Sequence, residues 1–171
     1  MPVDRHEPGP GGRPRIHLPG DRAKRLPPPE PDVVVVTSAW RATAVAAAGH
    51  HVCIASPAAL PFRDGSLGGA RLDRGLPADL ALAAVAECAH ALGPRAPIRI
   101  DTRVRYGSTG LGRWLAAKLV GARPPTSPET VARRLLEAGF DRIEQLLDGS
   151  LGCFRALRLP GRRREAVGGR R

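Results

Sequence analysis

Four consecutive valines, Val33 to Val36, constrain this chain more than any other feature. A run in which every residue is β-branched suits a strand buried on both faces. Such a strand needs cover on each side, so its sheet is expected to lie between two layers of helices. Residues 51–55 (HVCIA) read as a second strand of this kind, ended by Ser56 and Pro57. Between the two, residues 39–48 are alanine-rich and stop at Gly49, which predicts a short helix with a glycine end.

The same alternation continues. Residues 70–73 are a weak strand candidate, and residues 77–92 give the clearest helix, with Pro77 near its start and Asp79 in its first turn. Leu80, Ala83, Ala84, Cys88 and Ala91 fall on one face of it, and Gly93-Pro94 closes it. Residues 97–104 (PIRIDTRV) alternate as a strand does, and a further helix is expected around residues 111–120. Ser127 is a predicted N-cap with Pro128 in the first helical position, and Gly139 ends that helix. Residues 141–147 and 153–159 form a hairpin around Asp148-Gly149-Ser150. The order predicts an α/β domain of three layers, its sheet mostly parallel, about six strands wide and closed by an antiparallel hairpin.

Both ends read as poor packing material. Residues 1–30 are crowded with Pro, Gly and Arg, culminating in Pro27-Pro28-Pro29, and are expected to be an unstructured arm. Residues 161–171 form a basic tail, which leaves residues 31–160 as the domain. The net charge of +11 is uneven: six basic and four acidic groups in residues 1–30, fourteen and eleven in 31–154, seven and one in 155–171. A nucleic-acid reading therefore rests on the tail, through Arg162-Arg163-Arg164 and Arg170-Arg171. Three widely spaced cysteines, no apolar leader and no run of ~18 apolar residues predict a cytoplasmic chain with reduced thiols and no membrane span.

Three segments resemble the class I S-adenosylmethionine-dependent methyltransferases. LPFRDGS at 60–66 is similar to the family's loop before its fourth strand. Residues 70–94 look like that strand with its helix and turn, and residues 133–159 like the closing helix, its Ala-Gly-Phe end and the final hairpin. The resemblance implies a Rossmann-like fold, S-adenosylmethionine as cofactor, and Leu60, Pro61 and Phe62 along the adenine pocket. It also implies a glycine-rich loop, acid-x-Gly-x-Gly-x-Gly, after the first strand, where bare backbone approaches the ligand. No glycine occurs between Gly20 and Gly49. Two alignments stay open: residues 33–55 are either the first and second strands, with the third deleted, or the second and third, with the first lost. The former puts Thr37-Ser38-Ala39-Trp40 in place of the glycines. Ser56 stands for a carboxylate in both, the ribose acid in the former and the adenine-side acid in the latter.

Other motifs are weaker. His50, His51 and Cys53 do not share one strand face, and Cys88 and His90 are two apart on a helix, so no metal site is expected. GSTGLG at 107–112, flanked by Tyr106 and Trp114, lacks the lysine of a phosphate loop. Three functions follow: a methyltransferase with an eroded cofactor site, a non-catalytic partner subunit of the same fold (as homo-oligomer or beside a catalytic protein), or a nucleic-acid binder working through its tail.

Overall fold

A computed structural model describes residues 12–19, 33–73, 76–105, 112, 115, 119 and 126–160, without the side chains of 40 and 78. In chain order the elements are β1 (Arg15–Leu18), β2 (Val33–Val36), α1 (Ala39–Ala47), β3 (His51–Ile54), β4 (Gly69–Leu72), α2 (Ala78–Ala91), β5 (Pro97–Arg103), α3 (Pro128–Glu137), β6 (Phe140–Asp148) and β7 (Leu151–Arg158). Gly112, Leu115 and Leu119 are also helical, and exposed. The strands make one seven-stranded sheet in the order β3-β2-β1-β4-β5-β7-β6. β1 to β5 run parallel, while β7 enters antiparallel between β5 and β6.

One expectation fails outright. Arg15–Leu18 lies in the segment read as an arm, yet it is an interior strand, third of the seven, paired with β2 on one side and β4 on the other. The domain therefore begins well before residue 31, and the sheet has seven strands rather than about six. No strand of the fold is missing. Val33–Val36 and His51–Ile54 are the second and third strands, and the first is present. Four residues between Pro14 and Pro19 are too short to carry a local signal. Their burial comes from two neighbouring ladders, and Ile16 and Leu18 are each only 1% exposed.

Helices cover both faces. α1 packs Val45 against Val34 and Val36 on one side. On the other, α2 and α3 supply Ala81, Ala84, Val85, Cys88, Val131 and Leu135 to a core with Ile16, Leu72, Ile98, Ile100 and Phe154. Burial of this much aliphatic and aromatic surface is the main force holding the layers together.

The C-terminal half follows its sequence signals closely. Ser127 caps α3, its Oγ accepting the Thr130 N–H at 3.2 Å, and Pro128 takes the first turn. Gly139 ends the helix at φ 85°, and Gly149 turns the hairpin at φ 56°. β6 is an edge strand with a register shift between Asp141 and Glu144, where Arg142 adopts φ 48°. A bulge there bends an edge that would otherwise offer a straight template for pairing.

Candidate functional site

β1 and β4 are parallel neighbours whose chains leave in opposite directions, β1 toward β2 and β4 toward β5. That divergence places a topological switch point at the carboxyl ends of the strands, the usual ligand position in open α/β sheets. Two residues meet there. Asp73 follows β4 and stays in register, its N–H donating to the Leu18 carbonyl at 3.0 Å. Its Oδ2 lies 2.8 Å from Nε2 of His17 on β1. Arg71 donates through Nε to Asp73 Oδ1 at 3.1 Å and reaches Asp101 at 3.6 Å, while Arg99 binds Asp101 at 3.1 Å.

These groups share the sheet face opposite α2 and α3. Register aligns His17, Arg71, Arg99, Arg155 and Glu144 in one row across β1, β4, β5, β7 and β6. Asp73 and Asp101 lie one step along and neutralise the row. Burial alone would push the Asp73 carboxyl up, but the hydrogen bond and charge of His17, with Arg71 beside it, outweigh burial and hold it below the usual range. The sequence named none of these residues as a site. The only signal was a histidine inside four residues that otherwise looked like linker.

The residues singled out from sequence scatter. Leu60 and Phe62 are half-buried and packed on the core, and Pro61 is exposed. The Leu60 N–H donates to Glu87 Oε2 at 3.1 Å, and the same loop bonds on to the end of α2 through Gly65 to His90 and Leu67 to Ala91. The segment thus runs down the flank of α2, away from Asp73. His50 is buried, His51 exposed and Cys53 half-buried. Among the described residues no three His, Cys, Asp or Glu side chains are grouped to hold a metal ion. GSTGLG lies outside the described residues except for Gly112, as do Tyr106, Trp114 and the tail.

No family model and no curated protein sequence matches the chain. Solved structures do. A SAM-dependent methyltransferase from Thermotoga maritima is 17% identical, covering 73% of this chain and 72% of its own, with a TM-score of 0.61. A chain from the complex of the Haloferax volcanii Trm112 methyltransferase activator is 12% identical, covering 91% and 86%, at 0.64. The cyclase SpnF is 12% identical, covering 88% and 76%, also at 0.64.

The fold is that of the class I S-adenosylmethionine-dependent methyltransferases. A cyclase on the same fold is a reminder that the fold alone does not choose the reaction. With β1 in place, the segment that follows the first strand starts after Leu18, not at residues 37–40. The end of the second strand carries Thr37 and Ser38, and the end of the third carries Ser56, whose Oγ accepts the Ala58 N–H at 3.2 Å. Ser56 therefore stands at the adenine-side acid.

Proposed function

We propose that this protein is a methyltransferase-fold protein with an eroded cofactor half, acting as a non-catalytic partner subunit rather than transferring methyl groups from S-adenosylmethionine. One observation carries the reading. Among the described residues, none of the first three strands ends in a carboxylate, and none offers the ribose and adenine edges a charge-assisted acceptor. Asp73, at the end of β4, is already engaged by His17 and Arg71. Leu60, Pro61 and Phe62 then act as packing along α2 in place of a cofactor wall. A solved neighbour found in complex with a methyltransferase activator supports assembly with another protein.

Calorimetric titration of the full chain with S-adenosylmethionine, and with its demethylated product, tests the reading. No saturable heat at millimolar ligand is expected. Saturable micromolar binding by a chain that is monomeric in light scattering would overturn it.

The tail supports a second reading, because residues 161–171 carry five basic groups against one acid. On the sheet the charges are interleaved, so binding to nucleic acid would depend on residues 161–171. It would weaken steeply with salt and vanish when the tail is deleted. No helix among the described residues is long and apolar enough to cross a membrane.

A further inference from the structure

The two edges of the sheet are built differently. β6 closes one edge with a bulge, Arg142 at φ 48°, and acidic side chains at Asp141, Glu144 and Asp148. These are devices that keep an edge from pairing with a further strand. β3 closes the other edge with none of them. Its four residues, His51–Ile54, hold an unbroken register with β2 and include no Asp, Glu, Lys, Arg or Pro. Ile54 shares a row with Val36, yet Val36 is 2% exposed and Ile54 57%. In that row the cover from α1 ends before the edge strand.

Backbone direction and sheet face fix how a further strand fits. The Ala55 N–H donates to the Val36 carbonyl at 3.0 Å, so the odd-numbered residues here turn their backbone groups toward β2. Val52 and Ile54 turn theirs outward, where no strand follows among the described residues. Residues directly opposite in an antiparallel pair share a face, so β3 meets a copy of itself about a residue, never between two. Centred on Cys53, Val52 and the partner's Ile54 exchange both backbone bonds, and every opposed residue falls within 51–55. A centre on Val52 runs the pairing into His50, which is buried, and one on Ile54 into Ser56, already bridged to Ala59. No like charges meet. The same operation on β6 about Leu146 sets Glu144 against the partner's Asp148. The helix beside the edge agrees: the described exposed side chains of α1, Ala39, Thr43, Ala44, Ala46 and Ala47, are small and uncharged, where a surface helix ordinarily presents charge. Strands about 4.8 Å apart place two such helices, each seated over β2 and β3, roughly 10 Å apart across the two-fold, a packing distance that small side chains permit.

We propose that β3 is the dimerisation edge of this protein, pairing antiparallel with β3 of a second copy about Cys53. The contact joins two seven-stranded sheets into one and packs α1 against the partner's α1. A two-fold contact has to be self-complementary, and β3 meets that condition where β6 does not. The contact follows from edge geometry alone, while its role rests on the partner-subunit reading.

Sedimentation velocity of the full chain tests it, with disulfide trapping as the readout of register. Between about 1 and 100 μM the native chain should pass from monomer to dimer. Opposed Cys53 residues form a pair without backbone hydrogen bonds, their Cα atoms about 4.5 Å apart, which is inside the span of a disulfide. Copper–phenanthroline oxidation should therefore link Cys53 to the partner's Cys53, as read by peptide mapping. Cys153→Ser should keep that product and Cys53→Ser abolish it. Ile54→Lys should weaken dimerisation at least about tenfold and leave the far-UV spectrum unchanged, because Ile54 is exposed within one protomer. Leu146→Lys, exposed on the opposite edge, should leave the dimer intact. A chain monomeric across the whole range, a dimer indifferent to Ile54→Lys, or trapping through Cys153 in place of Cys53 would each overturn the proposal. If Ile54→Lys precipitates, trapping in the native chain still decides. S-adenosylmethionine calorimetry reports on the other reading alone: a monomer that binds no cofactor removes this dimer and leaves that reading standing.

Discussion

Arg158, near the end of the last strand, donates through Nη1 to the carbonyl of Gly139 at 2.9 Å, and to that of Ala138 at 3.1 Å. The carbonyls at a helix C-terminus lack partners within the helix and carry partial negative charge, so a guanidinium there both satisfies and neutralises them. The same group lies 6.0 Å from the Phe140 ring centroid. One side chain thus fastens the end of α3 to the final hairpin. Arg158→Met should cost about 1.5–3 kcal/mol, and Arg158→Lys less, measured as the shift in urea midpoint at constant slope.

Gly152 has a different role, since its importance is lack of bulk. A Cβ there would sit 2.7 Å from Phe154 Cε2 and 3.1 Å from Val104 Cγ1, both in fully buried residues. Gly152→Ala is expected to destabilise by about 1–3 kcal/mol through overpacking. The far-UV spectrum should keep its shape while the thermal midpoint falls.

Truncation separates the observed domain boundary from the one composition implies. Deleting residues 1–30 removes the strand between β2 and β4, and with it Ile16 and Leu18 from the core. The shortened chain is expected to be unfolded or aggregated. Within the intact chain, Ile16→Ala should cost about 2–5 kcal/mol, read from chemical denaturation. A soluble, cooperatively melting fragment 31–171 would contradict the interior position of β1.

Stability should depend on Asp73 as pH falls. Its carboxyl is held below the ordinary value in the folded protein. A depressed folded pKa contributes stability fully above the unfolded value of about 4. That contribution is lost as acidification passes the folded value. Denaturation midpoints followed from pH 6 downward should therefore drop for the native chain, and Asp73→Asn should flatten part of that fall.

Thiol reactivity should divide the three cysteines. Cys88 is sealed on the inner face of α2, and burial, with Glu87 nearby, pushes its thiol up to about 12. Cys53 and Cys153 are also raised by burial but are partly open. Alkylation of the native chain, followed by mass spectrometry, should leave Cys88 unmodified until the protein is unfolded.

Much of this molecule was legible from its residues alone. The valine run predicted a strand covered on both faces, Ser127 and Pro128 predicted the start of α3, and Asp148-Gly149-Ser150 predicted the turn between β6 and β7. Each signal is local: a cap, a turn or a period acts within a few residues, so its physics is written where it operates. β1 carried no such signal. Arg15 to Leu18 is bracketed by prolines and set in a stretch that composition assigns to an arm, and only ladders to β2 and β4 make it a strand. The pairing of His17 with Asp73 is of the same kind, because neither residue has a partner until the sheet sets β1 beside β4. Local order was determined by the sequence. The interior strand β1 and the groups gathered at the switch point were decided by tertiary structure, since contacts between distant strands have no period to announce them.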